Sequence, residues 1–526
     1  MTPSDDFKID NGILVRYYGS DEQVNIPEGV THIGENAFYA CPNIKSVNIP
    51  QSVASIGDSA FKNCRNLSSI TIPDSVISIG EYAFSHCEGL KKVDLPKSLT
   101  TIEGGAFLNC KAMERIDIPD SVTKIGNGTF FGCSLLKDIR LSNNITCIEG
   151  QTFAECTNLE SITIPQAVTS IGNKAFRECK SLIQVNFPDS IKEIGEEAFG
   201  SCEKLTHIAI PSGVQKVPMF TFYNCSNLVS VVLPNGITSI EYGAFNGCSK
   251  LADISLPDTL TTIENNTFTN CAALQTIHIP DNVFRIGQSA FYGCNNLMEM
   301  SLPNSIVTIE HMTFFGCEKL KTIHIPEGVK FISDYAFANC SSLTEATIPN
   351  TVIDIKDGIF MGCTQLSKVT LPDNILRVSS ETFRDCINLQ EINIPYGVTA
   401  IESNAFDGCK KLSQISIPDS VEYIGEYSFA DCTLLKTVEL PRLLTYIECR
   451  TFENCISLEN ITIPYVLKIN DNAFCGCSNL SSVTFLSQET KLAQEAFAEC
   501  PKLDPDNLQK PSEKKKGRKT PDIERD

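Results

Sequence analysis

The residues of this chain that could do chemistry are its six histidines, its many carboxylates and its 24 cysteines. His207, Asp253, His278, Glu299, His324 and Glu345 fall on one recurring pair of positions. Such a set invites metal ligation or acid–base catalysis, but the spacing argues against both. His278 and His324 are 46 residues apart, two turns of the recurrence, which places equivalent atoms about 9.6 Å apart at the usual strand spacing. Two nitrogens sharing one zinc lie little more than about 3 Å apart. No metal is therefore expected, and these residues read as a solvated polar face whose histidines would make binding pH-dependent. A second set is a charged block in three successive repeats: Lys92 and Asp94, Arg115 and Asp117, Asp138 and Arg140. Stacked in register, these would alternate in sign along and across the chain. Two readings stand: mutual ion pairing, worth little per exposed pair, or a recognition patch of the kind that arginine anchors.

The cysteines are set by position. Twenty-one of them close the fragment Phe-x-x-Cys, from Phe38 and Cys41 to Phe497 and Cys500. Side chains at one repeat site point the same way at strand spacing, whereas a disulfide wants Cβ atoms about 3.8 Å apart. They read as small buried core residues, and thiols at this density favour a reducing compartment. Cys147, Cys449 and Cys475 lie off the series, and Cys475-Gly476-Cys477 is too close for a zinc knuckle with no second pair to answer it. There is no glycine-rich phosphate loop, no Gly-x-Ser-x-Gly and no His-Glu-x-x-His. Neither a cofactor nor an enzymatic activity is expected.

What positions these residues is a period of 23. Phe38, Phe61, Phe84 and Phe107 open an unbroken run of such steps to Phe452; one step of 22 reaches Phe474, and one of 23 reaches Phe497. A fixed period of this size is the signature of a solenoid. Within one repeat, Leu67-x-x-Ile70-x-Ile72 reads as a short strand that Pro73 ends. Gly80 permits a turn, and Glu81-Tyr82-Ala83-Phe84 with Cys87 suggests a short helical turn. Polar residues such as Ser69 and Thr71 flank the central strand residue and should face outwards, free to carry specificity. About seven apolar positions per repeat point inwards and can be buried only by stacking on the next repeat.

The pattern Leu-x-x-Ile-x-Ile-Pro-x-x-Val-x-x-Ile-Gly-x-x-Ala-Phe-x-x-Cys resembles the leucine-rich repeat, and more narrowly the BspA-like subfamily. The resemblance implies an α/β repeat solenoid: a horseshoe or superhelix with a parallel strand per coil on its concave face and short helical turns or loops on the convex side. It implies adhesion and protein-binding modules, often on microbial surfaces, and no catalytic residues.

Residues 1–23 are expected to cap the array, with Asn11-Gly12 as a hairpin turn. Residues 24–503 form one continuous array of about 21 coils, and 504–526 a disordered charged tail containing Lys514–Lys519. The chain carries a net charge of −20 and its last 23 residues contribute +1. The acidic array disfavours nucleic acid, which needs a basic face. No signal peptide or apolar run long enough to span a membrane is present. Absent leader and free thiols point to the cytoplasm; the family resemblance points to the cell surface or secretion. The expectation is a monomeric, non-enzymatic module binding a protein partner through the strand face, as an adhesin or as an intracellular scaffold.

Overall fold

The computed structural model describes residues 6–504 and 508. The chain forms two compact units, Met1–Lys319 and Leu320–Asp526. The basic stretch Lys514–Lys519 and most of the expected tail lie outside the described residues.

Each unit is a stack of parallel coils, and one coil shows how the sequence builds it. Ser69–Thr71 is a three-residue strand, with Ile70 buried between two exposed polar neighbours. It pairs in parallel with Ser46–Asn48 before it and Lys92–Asp94 after it, each residue opposite the one 23 positions away. Pro73 ends the strand, and its carbonyl accepts the Val76 N–H at 3.0 Å to turn the corner. Ser75 Oγ seals that corner by donating to the Val53 carbonyl of the previous coil at 2.6 Å.

A second, two-residue strand follows, Ser78–Ile79. It pairs with Ser55–Ile56 and Thr101–Ile102. The sequence reading anticipated one strand per coil, and the second row is an addition to it. Two residues are too few for an alternation to register in the sequence.

The expected helical turns are not there: among the described residues the coils contain no helix. The α/β expectation is corrected to a β-solenoid. The physical reason lies in the backbone between Gly80 and Cys87. Tyr82 and His86 take φ of 55° and 59°, a left-handed conformation that interrupts any right-handed helix. Alternate amides then face opposite ways. Tyr82, Phe84 and His86 donate to the Gly104, Ala106 and Leu108 carbonyls of the next coil at 2.9, 2.7 and 2.7 Å. Ala83, Ser85 and Cys87 donate three residues back within their own coil, at 3.3, 2.9 and 3.1 Å. The turn segment is thus a third inter-coil ladder, which a helix would have consumed internally.

Phenylalanine fills the core beneath this ladder. In the first unit, rings from Phe38 to Phe314 stack face on face, with centroids 4.8 Å apart at the start and 5.7 Å at Phe107–Phe130. The second unit repeats this from Phe337 to Phe497, with spacings between 5.0 and 6.0 Å. A buried Phe is worth on the order of 2–3 kcal/mol, but an isolated coil would leave both ring faces wet.

At the N-terminus, Phe7–Asp10 and Ile13–Tyr17 pair antiparallel. The turn between them has φ of 48° at Asn11 and 80° at Gly12. Ile13–Tyr17 then pairs in parallel with His32–Ile33, and Tyr17 lies 5.2 Å from Phe38, so the hairpin covers the first open coil.

Candidate binding surface

The row of three-residue strands presents the chain's exposed, variable side chains, two per coil. In the first unit the charged block lies there as a network. Lys92 reaches Asp94 on its own strand at 2.8 Å. Arg115 reaches both Asp117 and, across the strands, Asp138, at 3.2 and 3.4 Å. Arg140 stands in register with Asp117 but pairs instead with Asp120 at the proline corner, at 2.8 Å. The Asn143 backbone N–H and Arg140 together hold Asp120 below the usual carboxylate range. Five of the six residues thus pair among themselves, Arg140 turns aside, and all six remain more than half exposed. Lys92, Asp94, Arg115 and Asp117 line a shallow depression of about 490 Å³.

The three histidines of this row, His207, His278 and His324, are exposed and dispersed. His207 Nδ1 lies 2.7 Å from Ser230 Oγ on the adjoining strand. His278 is exposed beside the isolated bridge Thr276–Glu299, which brings Glu299 to the same face. His324 ends the strand Thr322–His324 in the second unit, opposite Thr347. Among the described residues no three histidine, cysteine or carboxylate side chains converge on a point where a metal could sit.

A larger depression on the same row was not singled out from the sequence. In the second unit about 880 Å³ opens over Lys368, Thr370, Asp373, Glu391, Gln414 and Glu439. The strand pairing thins here: Asn393 makes only an isolated bridge to Ser416 between the strands Lys368–Thr370 and Gln414–Ser416. The 23-residue series beyond Glu345 and Thr347 places these positions on the row, but it does not mark the depression.

The thiol ladder belongs to the scaffold. Cys87 Sγ donates to the Phe61 carbonyl of the preceding coil at 3.1 Å, and the same carbonyl accepts the Cys64 N–H at 3.1 Å. Cysteine is therefore more than a small apolar filler: it satisfies a second lone pair on a buried carbonyl. Burial pushes Cys87, Cys133 and Cys225 up to about 12. Reactivity follows the thiolate, so these thiols are inert, and their number carries no argument about compartment.

The repeat now has a sequence family. The BspA-type leucine-rich-repeat region matches across overlapping segments from residue 16 to 344 and from 285 to 413 and 399 to 515. The chain belongs to that family. Among solved structures, a leucine-rich-repeat protein from Bacteroides ovatus is 28% identical, with 79% of this chain and 94% of that chain covered and a TM-score of 0.44. A leucine-rich cell surface protein from Faecalibacterium prausnitzii is also 28% identical, over 68% and 89%, with a TM-score of 0.35. The pneumococcal vaccine antigen PcpA is 20% identical, over 80% and 95%, at 0.39. No curated protein matches the chain. Among the described residues no helix is long and apolar enough to cross a membrane.

Proposed function

We propose that this BspA-type repeat protein is a non-enzymatic module that binds a macromolecular partner, a protein, through its row of three-residue strands. The observation that carries the reading is the division of labour within each strand. The central residue is buried and its two neighbours are exposed, as in Lys92–Asp94, Arg115–Asp117 and Thr322–His324. Side chains relieved of core packing vary from coil to coil while the core does not. Specificity in such a surface is a pattern spread over several coils, not a pocket. An adhesin facing outwards and a scaffold facing inwards would use the same surface.

The test is a pair of crosslinking pull-downs, from the cell exterior and from lysate. Each compares the wild-type chain with Arg115→Ser, Asp117→Ser, Asp138→Ser and Arg140→Ser combined. A protein captured by the wild type and lost in the variant supports recognition by this block, and the fraction that yields it separates adhesin from scaffold. Equal capture by both chains removes the block from the binding surface.

A further inference from the structure

The second unit carries an apolar band on a different surface, the segment from the proline corner to the first residue of the two-residue strand. Tyr396 is 90% exposed, Tyr465 69%, Leu443 57%, Leu467 56%, and Tyr423 and Tyr446 43% each. Tyr423 and Tyr446 begin equivalent strands of successive coils, Tyr423–Ile424 and Tyr446–Ile447, and both side chains are exposed there. The band is not a by-product of the repeat. At the same positions of the first unit, the exposed large apolar residues among those described are Ile77, Phe284 and Val307; most coils there place Thr, Ser, Asp or Asn instead.

Carboxylates act on the ring at the centre of this band. Burial, and then the charges of Glu448, Glu426 and Glu402, push the Tyr423 hydroxyl up. Arg377 approaches Glu402 at 3.7 Å, and Arg442 is drawn to Asp419 at 4.0 Å. Glu448 accepts from the neutral Asn470 amide at 2.9 Å. The surface is thus aromatic with a negative rim. That combination suits lysine and arginine, whose stems lie along apolar surface while their heads meet carboxylates and ring faces. The molecule already makes one such arrangement internally: the Arg450 guanidinium lies 5.5 Å from the Tyr427 ring centroid and 3.1 Å from Glu453.

We propose that this band docks an extended, lysine- and arginine-rich peptide segment of a partner protein, its cationic side chains seated over Tyr423 and Tyr446 and paired with Glu426 and Glu448. This surface is separate from the strand row, so either assignment can fail without the other.

The test is fluorescence anisotropy of the full chain with a labelled nine-residue peptide of alternating lysine, arginine and glycine. A glutamate-substituted peptide and a neutral oligosaccharide serve as comparison probes. Saturable binding of the basic peptide alone is expected. Tyr423→Ala with Tyr446→Ala, and separately Glu426→Gln with Glu448→Gln, should each weaken it about tenfold or more, as expected when a desolvated cation–π or ionic contact is lost. Asp74→Asn with Asp189→Asn removes the same charge from exposed positions of the first unit and should leave binding unchanged. Equal loss in that control, or no loss in the tyrosine variant, reduces the interaction to bulk acidity and overturns the proposal. Preference for the oligosaccharide or the acidic peptide overturns it also.

Discussion

Cys225 donates its Sγ–H to the Phe199 carbonyl at 3.1 Å from a fully buried position. Cys225→Ala removes the sulfur and its bond together, and should cost about 1–3 kcal/mol in urea denaturation, the sum of a small cavity and an unmet carbonyl. The four half-buried cysteines, Cys41, Cys147, Cys449 and Cys475, are the accessible ones. Iodoacetamide under native conditions should modify these and spare the rest, which peptide mass mapping reads directly. Asp407 makes a different kind of prediction. Burial raises it to about 6, with Asp385, Asp431 and Glu453 adding to the shift and Arg384 opposing it. A carboxylate raised on folding favours the folded state while protonated, and that advantage is lost as pH climbs from about 4 to 6. Asp407→Asn should match the wild type near pH 4 and exceed its stability by on the order of 2 kcal/mol at pH 7. Denaturation midpoints across that range check the sign.

The turn segment decides the shape of every coil. Each residue directly before a ladder cysteine, from Ala40 to Glu499, has positive φ. Fifteen of these 21 residues are Asn, Asp or Gly, the types that tolerate that conformation. Gly362, at φ 71°, is one, and a Cβ there would collide with the Asn339 side chain. Gly362→Ala should therefore lower stability by about 1–2 kcal/mol from the backbone alone, visible as a lowered melting temperature. The strand centres and the Phe-x-x-Cys ladder were legible from sequence because period and burial coincide there. The helical turn was misread because Ala83, Phe84 and Cys87 share a spacing that a helix would also give. The Asn and Gly signal was blurred by His86, Glu155 and Glu178 at the same site. The groove over Lys368 and Glu391 escaped for another reason. Ile392 and Ile394 keep the buried pattern, so nothing in the sequence marks where pairing thins.

At the scale of the whole molecule, charge sets which partners are admissible. A chain at −20, several of whose basic side chains pair with nearby carboxylates, offers no continuous positive track among the described residues. Duplex DNA and heparin should fail to bind even near 50 mM salt, where counterion release is most favourable; a gel shift and an affinity column test this. Register is the other property of the whole. Arg115 sits opposite Asp138, and Thr322 opposite Glu345, each 23 residues on, so adjoining coils meet through the same donors and acceptors wherever they lie. Duplication or excision of a 69-nucleotide stretch of the gene would thus add or remove one coil without a compensating mutation. Recombination between near-identical repeats can lengthen or shorten the protein while its surface residues are shuffled, and length becomes a trait that drifts faster than fold.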